Sequence, residues 1–232
     1  MHKDAQSAMS RPVVHAHVTL ALLSVANSEL YIAVAGAEQS HLPAAQPTSS
    51  QSLDQVAQAL LTDLVGAGQG YMEQLYTFSF DESGSTSIVV SYLALSPGAP
   101  PLKPGYSWQP LVGLEHSVTY PDQIVLSYAL IRLRAKIGYT TIAFHLMPES
   151  FSLSDLQQTY ETILGRPLDP RNFRRRMVSS RLLQSENRLR RQGSHRPAAL
   201  YRFAGNHDPA SYLTPLAPPT RTTESSVDRG NA

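Results

Sequence analysis

Residues 160–177 read YETILGRPLDPRNFRRRM. Gly165 is a stop signal for a helix arriving from the left, because glycine takes up the left-handed conformation that ends one. Asp169 followed by Pro170 starts a second helix, as N-cap and first helical residue. That helix is predicted to run through RNFRRRMVSSRLL, as far as Leu183. At about 100° per residue, Phe173 and Met177 share one face. Arg171 and Arg175 point the opposite way, with Arg174 on one flank and Asn172 and Arg176 on the other.

Upstream, residues 151–165 read FSLSDLQQTYETILG. Ser152 and Asp155 form an S-x-x-D capping box. Leu153, Leu156, Tyr160, Ile163 and Leu164 line one side. Downstream, Leu182-Leu183 and Ala198–Phe203 are predicted strands. Between them lies a basic loop, Glu186 to Arg196. Helix, turn, helix and a hairpin with a basic tip make a winged helix-turn-helix. An Arg- and Asn-bearing helix anchored by an apolar stripe suits a major groove, and the wing suits phosphates or a minor groove. On this reading Arg171, Asn172 and Arg175 reach base edges. Arg174, Arg176, Arg188, Arg190, Arg191 and Arg196 hold phosphates. His195 either joins them or stabilises the hairpin.

The chain has 232 residues, a net charge of +1 and no cysteine. Cysteine-ligated zinc, disulfide scaffolds and thiol catalysis are excluded. The near-neutral total is a cancellation. Residues 1–150 carry −5, residues 151–205 carry +7 with arginine as the only base, and residues 206–232 carry −1. Arginine is the base that makes paired contacts with phosphate and guanine. No apolar run approaches the roughly 20 residues that span a bilayer. The start of the chain has no signal-peptide core. A cytoplasmic protein with no membrane partner is expected.

Before the basic module, Val13–Val25 and Leu30–Val34 read as a strand pair around the polar turn Asn27-Ser28-Glu29. Residues 36–52 are a loop. Leu53–Val65 is an amphipathic helix with Ser52 as N-cap, ended by Gly66 and Gly68. Tyr71–Phe80 and Ser87–Leu95 are strands. Residues 96–110 form a Pro-rich loop, Gln123–Ile137 a helix and Thr141–Phe144 a short strand. The expected division is 1–12 and 206–232 disordered, 13–138 an α/β effector and dimerisation domain, and 139–205 the winged helix.

Strand, loop, capped helix, strands and helix resemble a Nudix-type fold. The Nudix box is G-x5-E-x7-R-E-U-x-E-E-x-G-U, where U is a bulky aliphatic residue. With its last Gly on Gly66, Ala45 takes the first Gly and Gln51 the first Glu. Ala59-Leu60 replaces Arg-Glu, and Asp63-Leu64 replaces Glu-Glu. Helical glutamates at this spacing converge on Mg²⁺ through oxygen. Leu60 and Leu64 cannot, so no catalytic residue, metal or cofactor is expected. The segments YETILGRPLDPRNFRRRM, HRPAALYRF (195–203) and YMEQLYTF (71–78) resemble the NrtR-type, Nudix-related transcriptional regulators. The resemblance covers about residues 70–203 well and 13–69 more weakly. It implies a homodimer that binds a palindromic operator on double-stranded DNA, usually as a repressor. It also implies a Nudix pocket that takes an effector such as ADP-ribose, in regulators of NAD metabolism, or a sugar derivative.

Two other functions compete. One is an active ADP-ribose-type pyrophosphatase. The other is a regulator whose first domain only dimerises or binds a protein. His15 and His17, alternating on a strand, could ligate metal but are read first as packed histidines. His145 is read as structural. Tyr106 and Trp108 could stack on a base or ribose, and are read first as loop packing.

Overall fold

A computed structural model describes residues 14–36, 39–67, 70–82, 85–114, 117–118, 120–191 and 197–205. Strand β1 (Val14–Ala26) turns into β2 (Glu29–Ala35) through Asn27 and Ser28, both at positive φ. That pair makes the primed two-residue turn whose twist matches the flanking strands. A two-residue strand β3 (Ala44–Ala45) pairs with β1 inside the segment read as loop. Helix α1 (Leu53–Val65) has the expected limits. Ser52 caps it reciprocally with Gln55, and Gly66 ends it at φ 92°. Gly68 lies outside the described residues.

Strands β4 (Tyr71–Glu82) and β5 (Ser85–Leu95) form an antiparallel pair, and β5 runs parallel to β1. The Pro-rich segment is not all loop, because Tyr106–Pro110 forms strand β6 on β2. Its proline sits at the end of an outer strand, where a missing donor costs nothing. The sheet order is β4-β5-β1-β2-β6, with β3 against β1. Alternation along β1 feeds two layers. Val18, Leu20 and Leu22 pack with α1, while Ala21 and Leu23 pack with α2 (Asp122–Ile137).

Residues 141–144 are not a strand. Ile142–Leu146 forms a tight 3-10 turn. The Thr140 hydroxyl donates to the Lys136 carbonyl and accepts from the Ile142 amide, while Phe144 bonds back to Thr141. These local bonds end α2 and start the turn. Ile142, Ala143, Phe144 and Leu146 are all buried, so the run has no polar side to show its period.

Next come β7 (Phe151–Ser152), α3 (Leu153–Leu164), α4 (Pro170–Ser179), β8 (Leu183–Arg190) and β9 (Ala198–Phe203). The small sheet has the order β7-β9-β8, and β7 was not anticipated. Helix α4 stops earlier than the sequence predicts. The Ser180 hydroxyl donates to Met177 and accepts from Leu182, and Arg181 takes a φ of 60°. The residues expected to be disordered, 1–12 and 206–232, lie outside the described residues.

One apolar core joins the two parts. It runs from Ala21 and Leu93 through Ile137 and Phe144 to Tyr160, Phe173 and Met177. Phe144 stacks on Phe203 at 4.4 Å between ring centroids.

Candidate nucleic-acid interface

The two helices of the basic module are locked by short-range bonds. Ser152 and Asp155 form the expected capping box on α3, and Gly165 ends it in the left-handed conformation. The Glu161 carboxylate accepts from the Leu168 amide at 2.8 Å and from Gln157 at 2.9 Å, fixing the turn between the helices. Asp169 caps α4 through the Asn172 amide at 2.8 Å. Phe173 and Met177 are buried, with Phe173 edge-on to Tyr160 at 5.2 Å. The anchored stripe leaves Arg171, Asn172, Arg174 and Arg175 exposed. Arg175 donates to the Asn172 side-chain oxygen at 2.8 Å, so these two present one donor surface.

Arg176 does not fit the phosphate role. It is half-buried, and its Nη2 donates to the Gly138 carbonyl at 2.8 Å, at the C-terminal end of α2. Burial lowers its pKa, opposed by the neighbouring Tyr160. Burial also pushes the Tyr160 hydroxyl up. The Arg176 Nε and Nη1 and the Tyr160 hydroxyl have no hydrogen-bond partner among the described residues. Arg176 is a strut from α4 to the joint.

The wing also differs from the expected basic loop. Strand β8 carries the chain as far as Arg190. Its pairing with β9 is irregular between Ser185 and Leu189, where Asn187 has a φ of 53°. Glu186 is the hub of this bulge. It accepts from Ser150 at 2.7 Å and from Arg202 at 3.2 and 3.3 Å, and Arg188 lies 3.9 Å away. The Ser150 hydroxyl, then Arg202, holds the Glu186 carboxyl below its ordinary range. Arg190 is paired with Asp155, the capping residue of α3. Arg190 therefore fastens the wing to α3 rather than standing free. Arg188 keeps a side chain 75% exposed, and Arg191 is exposed. His195 and Arg196 lie outside the described residues.

Arg181 is exposed just past α4 and was missed as a candidate. Its position follows from the early end of α4, which a helix drawn to Leu183 conceals. Leu189 was also missed. It is 68% exposed beside these arginines, unusual for an isolated leucine on a basic strand.

In the first domain, Leu60 and Leu64 are 9% and 2% exposed and packed beneath α1. With the last box Gly placed on Gly66, these are the positions that would carry box glutamates. Ala59 and Asp63 face outward, with Gln55, Gln58 and Thr62, around an open depression of about 650 Å³. The Asp63 carboxylate is taken by Lys103 at 2.6 Å. Gln51 is exposed and accepts from Thr48, and Ala45 lies in β3. One carboxylate already paired with lysine does not fit a divalent cation needing several oxygen ligands. No cluster of three metal-ligating side chains occurs among the described residues. His15 and His17 bring in no third ligand. His145 packs against Tyr71 at 4.7 Å. Trp108 donates to the Pro100 carbonyl at 2.7 Å and, with Tyr106, packs on the α1 side of the core. No helix among the described residues is long and apolar enough to cross a membrane.

These features define a Nudix-like α/β domain followed by a winged helix. Residues 143–203 match the family described as the NrtR DNA-binding winged helix domain. A curated relative from Acinetobacter baylyi, the ADPR responsive transcriptional repressor NtrR, is 40% identical over 91 residues. That stretch is 39% of this chain and 36% of the relative, so the match spans about a third of the relative's length. The fold is similar to Shewanella oneidensis NrtR complexed with a 27mer DNA. That similarity has a TM-score of 0.75 at 24% identity and covers 85% of this chain and 96% of that one. It is also similar to a MutT/nudix family protein from Enterococcus faecalis, with a TM-score of 0.66 at 14% identity, covering 84% and 90%.

Proposed function

We propose that this chain is a DNA-binding transcriptional regulator, acting as a repressor, with a catalytically inert Nudix-like domain that takes a small effector. The observation that carries the reading is α4. It is capped at its start and anchored by Phe173 and Met177. It holds out Arg171, Asn172, Arg174 and Arg175, with Arg181, Arg188 and Arg191 close in sequence. A groove-reading helix needs this combination of a fixed axis and a free donor face. Residues 139–205 act as the reader and residues 13–138 as the effector and dimerisation domain. The active protein is a homodimer on a palindromic operator.

Buried Leu60 and Leu64 support inertness, since no carboxylate pair is left to hold Mg²⁺. The effector is of the ADP-ribose or sugar-derivative class. The winged-helix relative, named as ADPR responsive, supports that choice.

Fluorescence anisotropy with the promoter region of the gene, over a range of salt concentrations, tests the reading. Binding should weaken steeply with salt. Arg171→Ala with Arg175→Ala should abolish sequence preference. Wild-type operator binding by that double variant would sink the proposal. ADP-ribose and sugar phosphates should change DNA affinity without being consumed. Multiple turnovers of ADP-ribose with Mg²⁺ would refute the inert domain.

A further inference from the structure

Among the described residues, the basic module exposes two large apolar side chains, Val178 on α4 and Leu189 on β8. The same two elements hold Arg171, Arg174, Arg175 and Arg188 exposed. Val178 is 54% exposed. With Arg171 set at the origin around the helix axis, Arg175 falls at about 40° and Val178 at about −20°. Residues 171, 174, 175 and 178 are spaced i, i+3, i+4 and i+7. That is the row a helix lying in a major groove presents to base edges. Three of the four side chains are arginines, and the fourth has no polar atom.

Nothing local accounts for the valine. A β-branched residue is a poorer helix former than arginine, lysine or alanine. Phe173 and Met177 already anchor α4 on its far side. The neighbouring polar groups turn away from Val178. Arg175 donates to the Asn172 side-chain oxygen at 2.8 Å, and Asn172 lies at about 100°, on the side away from Val178. Ser179 turns its hydroxyl back to the Arg176 carbonyl at 3.1 Å. An uncovered apolar spot is left beside Arg171, Arg174 and Arg175.

We propose that Val178 reads a thymine, its methyl groups resting on the C5-methyl of that base. The inference rests on the DNA-binding reading of α4. The thymine methyl is the one apolar group that a standard base pair shows in the major groove. Arginine selects guanine through O6 and N7, and a valine has nothing to offer those atoms. Val178 lies about 10 Å along the axis from Arg171, or roughly three base-pair steps. The thymine it reads is therefore about three base pairs from the base that Arg171 contacts. Valine is shorter than arginine, so the last turn of α4 comes closest to the bases.

The probe is the set of duplexes that the full-length wild type selects from a random-sequence pool. Uracil then replaces each thymine in turn, which removes the methyl and no hydrogen-bonding group. Anisotropy should find one thymine in each recognised site whose replacement weakens wild-type binding roughly fourfold, the value of one methyl group taken out of water. Val178→Ala should bind the thymine duplex about as weakly as wild type binds the uracil duplex. It should be indifferent to the replacement at that position alone, so the two losses do not add. Its circular dichroism and melting should match wild type, because the site is exposed and alanine favours a helix. Leu189→Ala, on the wing, should keep the full methyl dependence. Losses that add, a selected sequence indifferent to every thymine methyl, or the same loss of methyl dependence in Leu189→Ala overturns the proposal and leaves the DNA-binding reading standing. A pool from which no sequence is enriched, with no salt-dependent binding, removes that reading and the proposal with it.

Discussion

Arg176→Met distinguishes a strut from a phosphate clamp. A side chain that neutralises one phosphate contributes about 0.9 to the slope of log affinity against log salt, per bound protomer. Arg174, exposed and without an ion pair among the described residues, should lose that amount when changed to Met. Arg176 should lose none, because its guanidinium is spent on the Gly138 carbonyl at 2.8 Å. The stability change is a difference of comparable terms. The charge-assisted bond contributes about 1.5–3 kcal/mol, and losing it strands a carbonyl. Against that, the Arg176 Nε and Nη1 are buried without partners among the described residues, and removing each relieves about 1–3 kcal/mol. The two sides nearly cancel, at about 2.5–6 kcal/mol lost against about 2–6 relieved, so the melting temperature should move by only a few degrees. DNA affinity should fall by the same factor at every salt concentration, because α4 is no longer held to the end of α2. Anisotropy titrations at several salt concentrations, with parallel melts, measure both quantities. A slope reduced by about 0.9 would refute the strut.

Three further outcomes are expected. Leu60→Glu with Leu64→Glu, which restores two box carboxylates, should unfold the first domain. It removes two buried leucines at about 2–5 kcal/mol each and buries unpaired charge, against a typical stability of about 5–15 kcal/mol. A folded double variant in a circular dichroism melt, hydrolysing ADP-ribose with Mg²⁺, would refute the account of α1. Phe173→Ala should cost about 3–5 kcal/mol, read as a lower urea midpoint; a loss below 1 kcal/mol would mean that α4 is not anchored through this ring. Glu186→Gln tests the wing through pH. The Glu186 carboxyl is held below its ordinary range, so its stabilisation is complete above about pH 4.3. It is lost as pH falls through the lowered folded value. The melting difference from wild type should be constant near neutrality and shrink in acid, and a difference independent of pH would remove Glu186 as the hub.

The helices were legible where their signals are local. Ser52, Ser152, Gly165, Asp169 and Pro170 mark helix ends by chemistry acting within four residues, and all lie where the sequence places them. The Phe173–Met177 stripe was legible for the same reason. Elements defined by a distant partner were not. Strand β6 exists because β2 offers it an edge, and β7 because β9 does. Nothing within Tyr106–Pro110 or Phe151–Ser152 encodes that. Ile142–Leu146 looked like a strand because a run buried on every side has no period. The site was half legible. A helical wheel separates Arg171 and Arg175 from the core, but Arg176 sits on the flank of the stripe. Only the approach of Gly138 from another helix turns it inward. Arg190 was misread similarly, because Asp155 is 35 residues away.

Leu60 and Leu64 bear on what the first domain is for. A Nudix helix that binds metal must keep carboxylates at the i, i+4 positions in a wet, open groove. Here those positions pack against the sheet layer that contains Val18, Leu20, Val90 and Tyr92. Tyr92 is almost fully buried and donates its hydroxyl to Asp54 at the start of α1. A carboxylate could stand at position 60 or 64 only if that layer were rebuilt. Under the alignment on Gly66, the difference from the box is therefore a change in packing rather than a substitution at an otherwise intact groove. Packing of this kind makes α1 rigid against the sheet, and the sheet carries α2 on its opposite face. A ligand that shifts the sheet or its loops would be felt along α2, where Arg134 donates to the Ile163 carbonyl of α3 and Arg176 of α4 donates to Gly138. On the proposed function, ligand binding in such a domain would move α4 without any chemistry on the ligand.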